Sequence, residues 1–339
     1  VSISGNALVM KEVNINLVRR TLKLKTQATK QQIAQETGLS IVTVGTILQQ
    51  LVQDGEAFDA EAAASSGGRP AQQFRFNEDF AHALIIFLHE EGGKDTAHLR
   101  VVNLYGESIY TENRRMEAIT LECFEPWIDT IIVQYPTIRA IGFGLPGVEY
   151  EGRMILTDYK ELTGSPIVEH YKERYGLPVL VENDVNAAVI GYCRRRQVVS
   201  EAATVYIYFP TKCGPGSGIY IDGKLYKGNG GFAGEVASIP LGIDWDDQTL
   251  YESLERFVEA VAKLVVAVCS IINPYAITFS SSLLSPQLLE GIAACCTKQL
   301  PKSVVPVLGL SQNFTLDYQY GMAFETLALL EPQVFLTAQ

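Results

Sequence analysis

The sequence predicts an α/β protein, two α/β lobes around a cleft preceded by a small winged helix-turn-helix domain. Three observations predict it. From Ala83 onward, three strands followed by alternating helices and strands occur twice in the same order. Residues 1–76 carry a net charge of +2 and the remainder −13, so a short basic segment is joined to an acidic body. At 339 residues the chain is also too long for one small domain.

Composition narrows the class. With 47% hydrophobic and 19% charged residues, a mainly disordered chain is excluded. No apolar run approaches the ~20 residues of a membrane helix; the longest, Leu264 to Ile272, is interrupted by Cys269 and Ser270, so no membrane partner is expected. The first residues lack the basic end and apolar core of a secretory signal. The net charge of −11 excludes a wholly basic nucleic-acid binder. Cys123, Cys193, Cys213, Cys269, Cys295 and Cys296 form no CxxC pair, and His82, His89, His98 and His170 are not near them. Neither a disulfide framework nor a sequence-local zinc site is indicated, which fits a reducing cytoplasm.

The basic segment has helical punctuation. Ile15, Val18 and Leu22 mark one apolar face, with Arg19, Arg20, Lys23 and Lys25 around it. Thr29 followed by Gln32 is a capping-box pattern opening a second helix that runs to about Glu36. Gly38 supplies the turn, and Ser40 caps a third helix with Val44, Ile47, Leu48 and Leu51 buried. This is a helix-turn-helix, and Val42, Thr43 and Thr46 project from its exposed N-terminal side, where a recognition helix meets base edges. Gly45 costs ~1 kcal/mol against Ala inside a helix, and either permits close approach to a sugar-phosphate backbone or has no role. Residues 56–62 and 72–76 read as two strands, the second turning Phe74 and Phe76 inward. Between them Gly67-Gly68-Arg69-Pro70 forms a wing tip whose Arg69 suits a minor groove. A winged helix that contacts only protein is the alternative, since the recognition helix carries no Lys or Arg.

In the body, strands are expected at 83–89, 97–104, 107–112, 138–144 and 178–182, with helices at 119–134, 165–175 and 184–195. The second half repeats the order, with strands at 203–209, 217–222, 275–280 and 303–308 and helices at 249–272, 285–298 and 316–330. Expected domains are 1–78, 79–195 and 196–339, the C-terminal helix returning to the first lobe. Glycine clusters mark the cleft: Gly142 to Gly147, then Gly214, Gly216 and Gly218, then Gly228 to Gly234. Glycine this dense brings backbone close to either a ligand or another strand. Glu182-Asn183-Asp184 falls where a strand ends and a helix begins. Asp184 is either the helix cap or a carboxylate aimed at a ligand hydroxyl.

Taken in order, these clusters resemble the ROK family of sugar kinases and sugar-responsive transcriptional repressors over nearly the whole chain. The run Gly223 to Gly228 followed by Ala233-Gly234-Glu235 is the most specific match; Ile272-Asn273-Pro274 matches a later segment, and the winged helix looks like the repressor branch. The resemblance implies an actin-like, Hsp70-like two-lobed fold, a sugar held by Asn183, Asp184, Glu235 and Gly147, and Asp184 at the position of the family's catalytic base. Other positions depart. Where the family has its first phosphate loop, this chain reads Glu90-Glu91-Gly92-Gly93-Lys94-Asp95-Thr96, whose carboxylates would repel a polyphosphate. Thr211-Lys212-Cys213 opens the second phosphate loop, and Ser280-Ser281-Ser282 replaces a glycine-rich adenosine-side turn. Ser238 stands where the family often has a zinc-ligating histidine, and the segment carrying its cysteine cluster is shortened.

The expectation is therefore a regulator that is not an enzyme. It carries neither ATP nor zinc, binds operator DNA as a homodimer or higher homo-oligomer, and senses a sugar or sugar phosphate. The rivals are an ATP-dependent sugar kinase and a degenerate body serving only as a dimerisation scaffold.

Overall fold

The computed structural model describes residues 3–60, 72–198, 202–210 and 214–332. The chain divides into two units, one of Val1–His82 with Asn103–Tyr105 and Leu330–Gln339, the other of Ala83–Val102 and Gly106–Leu329.

The first unit contains α1 (Ile3–Lys25), β1 (Gln27–Thr29), α2 (Lys30–Thr37), α3 (Ile41–Gln53), β2 (Ala57–Ala60) and β3 (Gln73–Phe76). Local chemistry sets the helix boundaries. Thr29 and Gln32 close a reciprocal capping box, Gly38 ends α2 in the left-handed conformation, and the Ser40 hydroxyl caps α3 by accepting from the Thr43 N–H. Val18, Leu22, Ile33, Val44, Leu48, Phe74 and Phe76 share one buried core. The strands run in the order β1-β3-β2; β1 was not foreseen from sequence. The wing tip with Arg69 lies outside the described residues.

The second unit holds two five-stranded sheets. The first half runs β4 (His82–Glu91), β5 (Lys94–Val102), β6 (Ser108–Arg115), α4 (Glu125–Gln134), β7 (Ile138–Gly144), β8 (Val148–Tyr150), β9 (Arg153–Leu156), α5 (Ile167–Tyr175), β10 (Val179–Glu182) and α6 (Asp184–Arg195); its five-stranded sheet has the order β10-β7-β4-β5-β6, and β8 and β9 pair separately. The second follows from β11 (Thr204–Tyr208), β12 (Gly216–Ile221), β13 (Lys224–Leu225), α7 (Gln248–Glu252), α8 (Leu254–Ile271), β14 (Ala276–Ser280), α9 (Pro286–Cys296), β15 (Val307–Leu310) and α10 (Phe314–Ala328), in the order β13-β12-β11-β14-β15. Two expected helices need correction. The helix expected from 119 begins at Glu125, with Pro126 in its first turn. The helix expected over 249–272 is broken at Ser253, whose hydroxyl caps α8. The hairpin β8–β9 was not anticipated at all.

Central strands are buried on both faces. Along β4, Leu84, Ile86 and Leu88 enter a core beneath α4 and α5, while Ala83, Ile85 and Phe87 face the opposite way. This period-2 split of one apolar run is how a central strand serves two cores. A further core packs α8 and α9 against the second sheet. Between the sheets lie α6 and α10, and each crosses over: α6 packs on β11 and β12, α10 on β7 and β10. Their own crossing is tight. A Cβ on Gly191 would overlap the Asp317 carbonyl, and one on Gly321 the Ala187 carbonyl. Beside it the buried Asp317 carboxylate accepts hydrogen bonds from Arg195 (2.7 Å), the Tyr206 hydroxyl (3.2 Å) and Ser311.

Gly321→Ala is accordingly expected to destabilise the protein by about 3 kcal/mol, because backbone rather than a flexible side chain must move. Urea denaturation checks this against Gly291→Ala, where the added methyl meets only Val258 at 3.5 Å.

Candidate functional site

Between the two sheets opens a cavity of about 570 Å³, lined among others by Glu90, Asp95, Gly147, Asp158, Asn183, Asp184, Gly214, Gly216 and Glu235. The four residues expected to hold a sugar thus share one cavity.

The end of β10 builds the centre of this site. The chain leaves the strand at Glu182 and enters α6 at Asp184. Asn183 is the helix cap: its carbonyl oxygen accepts from the Val185 and Asn186 N–H groups, and its amide donates to the Gly147 carbonyl at 2.9 Å. The cap alternative for Asp184 is thereby resolved, since the preceding residue takes that role and leaves the Asp184 side chain to the cavity. Glu182, almost fully buried, accepts from the Asn183 N–H and meets Lys227 at 2.6 Å. Lys227 comes from the Gly223–Gly228 run, so this ion pair joins that motif to Glu182-Asn183-Asp184.

Burial pushes the Asp184 carboxyl up to about 7, with Glu235 and Asp158 adding repulsion against two opposing backbone N–H groups. Glu235 is also raised, by burial and then by Asp158. Burial pushes the His89 imidazole on the cavity wall down, although Glu91 and Glu90 pull the other way. A carboxylate with a raised pKa, next to acceptors and donors at fixed positions, suits a hydroxylated ligand.

Several glycines owe their presence to packing. A Cβ on Gly147 would overlap the Leu156 carbonyl, one on Gly218 would press on the Val185 carbonyl, and one on Gly214 would meet Ala237 at 2.8 Å. At Gly147 and Gly218 the close approach is by the protein's own backbone, and at Gly214 by the Ala237 and Trp245 side chains. Gly92 and Gly93 form the tip of the β4–β5 hairpin, both at positive φ, where a two-residue turn requires it. They do not line the cavity, and neither does Gly218. Thr211-Lys212-Cys213 lie outside the described residues.

Asp158 and Tyr159 were missed by sequence reasoning. They follow the β8–β9 hairpin, and the Tyr159 hydroxyl donates to Asp95 at 3.1 Å. The turn at Glu151-Gly152, with φ of 49° and 82°, is the hairpin signal that would have found them.

On the helix-turn-helix unit, Val42 is 80% exposed and Thr46 is exposed, on the face opposite the buried stripe of α3. Thr43 is half-buried, its hydroxyl 2.8 Å from that of the cap Ser40. Gly45 faces the Lys30 side chain at ordinary contact distance, so nothing in the fold requires glycine there. Arg20 is exposed, whereas Arg19 is engaged with Glu56 and Asn16, and Lys23 with Glu331 at 2.6 Å. No group of three or more His, Cys, Asp or Glu among the described residues is placed to hold a metal ion, and no helix among them is long and apolar enough to cross a membrane.

The raised Asp184 pKa has a consequence for stability. The folded state holds this proton to a higher pH than the unfolded chain does, so its contribution is fully present below ~4 and lost as pH rises through about 7. Asp184→Asn, which cannot ionise, is expected to exceed the parent in stability by ~1–2 kcal/mol at pH 8, less than the full shift implies because the carboxyl borders an open cavity. The gap should close toward pH 4 in urea titrations.

Comparison with known proteins places the chain. The ROK family model matches residues 90–248. The xylose repressor of Caldicellulosiruptor bescii is 28% identical over 245 residues, 68% of this chain and 59% of that protein. The xylose repressor of Bacillus subtilis is 25% identical over 68% of this chain and 61% of its own length, and the DNA-binding transcriptional dual regulator NagC of Escherichia coli 24% over 70% and 60%. The match thus spans about three fifths of the length of these curated relatives. Among solved structures, a ROK family transcriptional regulator, homolog of the E. coli MLC protein, superposes with a TM-score of 0.70 at 17% identity over 95% of this chain and 98% of that one. A ROK family glucokinase from Streptomyces griseus gives 0.53 at 16% identity over 72% of this chain and 99% of its own, a likeness of fold alone. The ROK family model over residues 90–248 and the curated repressors make this chain similar in sequence to the ROK family, and the solved structures share its two-lobed fold.

Proposed function

We propose that the chain is a sugar-responsive transcriptional repressor of the cytoplasm. It binds operator DNA through α3 as a homodimer or higher homo-oligomer and senses a sugar or sugar phosphate in the cleft between its sheets. The observation that carries this reading is the presence, in one chain, of a helix-turn-helix unit and of a cavity on which Asn183, Asp184, Glu235 and Gly147 converge. Relatives named as xylose and N-acetylglucosamine repressors support it. Two half-sites need two recognition helices, hence the oligomer. Effector binding then shifts a population between DNA-competent and DNA-incompetent arrangements.

Within α3 the base-reading residues are Val42 and Thr46, with Ser40 and Thr43 fixing the helix start. Affinity comes from phosphate contacts by Arg20 and the wing residue Arg69; Arg19 and Lys23, already ion-paired, contribute less. Each phosphate neutralised adds ~0.9 to the salt slope on duplex DNA. Arg20→Ala should therefore weaken operator binding and lower the slope by ~1 per subunit, whereas Val42→Ala should change the preferred sequence with little change in slope. Binding of both variants at several salt concentrations, to an operator selected from random DNA, is the measurement. A wild-type chain that selects no sequence would sink the regulator assignment.

The rival is an ATP-dependent sugar kinase, favoured by an Asp184 carboxyl suited to general-base work near neutral pH. Against it stand Glu90 and Asp95 on the cavity wall where that family's phosphate loop lies in sequence. Phosphoryl transfer relies on positioning and charge neutralisation, and two carboxylates oppose the second. No turnover is expected in a coupled ATP assay over hexoses, pentoses and amino sugars. Robust turnover that disappears in Asp184→Asn would make the chain a kinase.

A further inference from the structure

A second concave feature lies at the far end of α6, and its charge is opposite in sign to that of the acidic body. A pocket of about 300 Å³ is bounded by the last turns of α6 and α10 and by the β12–β13 hairpin, and its wall includes Arg194, Lys224, Lys227, Tyr220, Phe324 and Glu325. It shares no described lining residue with the cavity between the sheets, and the run of α6 from Asp184 to Arg194 puts about 15 Å of helix between the two. Lys227 is committed to the buried Glu182 at 2.6 Å. Arg194 and Lys224 are exposed, and neither makes an ion pair among the described residues. Each is nonetheless held in place. The Arg194 guanidinium lies over the Phe324 ring, 4.1 Å from its centroid. A stacked guanidinium keeps its N–H edge open for a two-pronged contact with an oxyanion. Lys224 follows the two-residue turn Asp222-Gly223, whose φ values of 51° and 73° are those of a tight hairpin, and pairs across it with Ile221. Tyr220 and Leu225, the next cross-strand pair, supply an apolar wall. Glu325 is the one carboxyl on the described wall. Burial and then Glu182 raise its pKa, against Lys227 and Arg194, which moves it toward the neutral form that donates a hydrogen bond. Lys227 and Glu182 cancel, so Arg194 and Lys224 supply two positive charges against that single carboxyl. A phosphate monoester, at about −1.5 to −2 near neutral pH, matches this surplus better than a singly charged carboxylate does. The volume lies at the lower end of the ~300–1,000 Å³ of small-molecule sites, more than a bare phosphate fills.

We infer that this pocket is a ligand site separate from the cleft, and that it takes a small organic phosphate. Arg194 and Lys224 hold the phosphate group, and the carbon body rests on the side of Tyr220 and Leu225. None of these residues lines the cleft, so the pocket can be filled whatever the cleft holds.

The test uses the full chain, with glucose 6-phosphate, N-acetylglucosamine 6-phosphate, glycerol 3-phosphate, inorganic phosphate and sulfate as probes at constant ionic strength. Calorimetry gives the dissociation constants, and the melting temperature of each unliganded variant checks that its fold is intact. At least one organic phosphate is expected to bind at least tenfold more tightly than sulfate and than inorganic phosphate. Lys224→Gln and Arg194→Gln should each weaken it at least fivefold. Arg196→Gln removes the same charge at the same end of α6 but outside the pocket, where its guanidinium lies over Tyr192, and should change the constant less than twofold. Equal weakening in Arg196→Gln would reduce the effect to overall charge and overturn the site. Sulfate or inorganic phosphate binding as tightly as every organic phosphate overturns it too, as does a panel in which nothing binds. A phosphate whose binding is lost in Asp184→Asn and kept in Lys224→Gln is a ligand of the cleft, and the pocket then has no claim to it.

Discussion

Everything in the body of this protein depends on the close crossing of α6 and α10. Two helices wedged between two sheets must approach closely, and here each carries a glycine where the other's backbone passes. The crossing does more than fill space. Because α6 lies on the second sheet and α10 on the first, each half of the chain contributes its last helix to the other half's core. The buried Asp317 then ties α10 to Arg195 of α6 and to Tyr206 of β11. A buried carboxylate with several donors is costly to break on one side only, so it fixes which arrangement of the helices is the folded one.

The ligand cavity inherits its geometry from that arrangement. The start of α6 lies at the cavity because the rest of α6 is held between the sheets. Asn183 caps the helix and links it to the Gly147 turn, and the Asp184 side chain, one residue on, lines the cavity. The Glu182–Lys227 pair then joins β10 to the segment leading into Glu235. The residues that line the cavity are thus positioned by contacts among their own neighbours. The carboxyl pKa values of Asp184 and Glu235 are raised first by burial and then by the carboxylates beside them.

Charge divides the labour along the chain. The exposed start of α3 is neutral, and much of the basic character of its unit is already tied up, Arg19 with Glu56, Lys23 with Glu331 and Lys25 with Glu36. The body is acidic, and Asp95, Asp158, Asp184 and Glu235 are among the residues on its cavity wall. In the proposed repressor, sequence preference, phosphate affinity and ligand selection would therefore rest on separate sets of residues.

Much of this was legible in the sequence because it is governed locally. Capping chemistry at Thr29 and Ser40, the glycine turn at Gly38, and the period of apolar residues set many element boundaries, and these depend on near neighbours; that Asn183 rather than Asp184 caps its helix was decided by the structure. The family resemblance likewise rests on short motifs, and it identified the residues that meet at the cavity. What lay beyond reach depends on partners distant along the chain. That Arg19 belongs to Glu56, that Lys227 belongs to Glu182, and that Asp158 and Tyr159 reach the cavity are decided by packing. The glycines show the division most clearly. Glycine clustering marks Gly147, Gly214 and Gly218 as places of close approach, but which group approaches, backbone at Gly147 and Gly218 and side chains at Gly214, is a tertiary fact. Local preferences act through bonds and turns a few residues long, whereas burial, pairing and repulsion need the folded chain to bring their partners within a few ångströms.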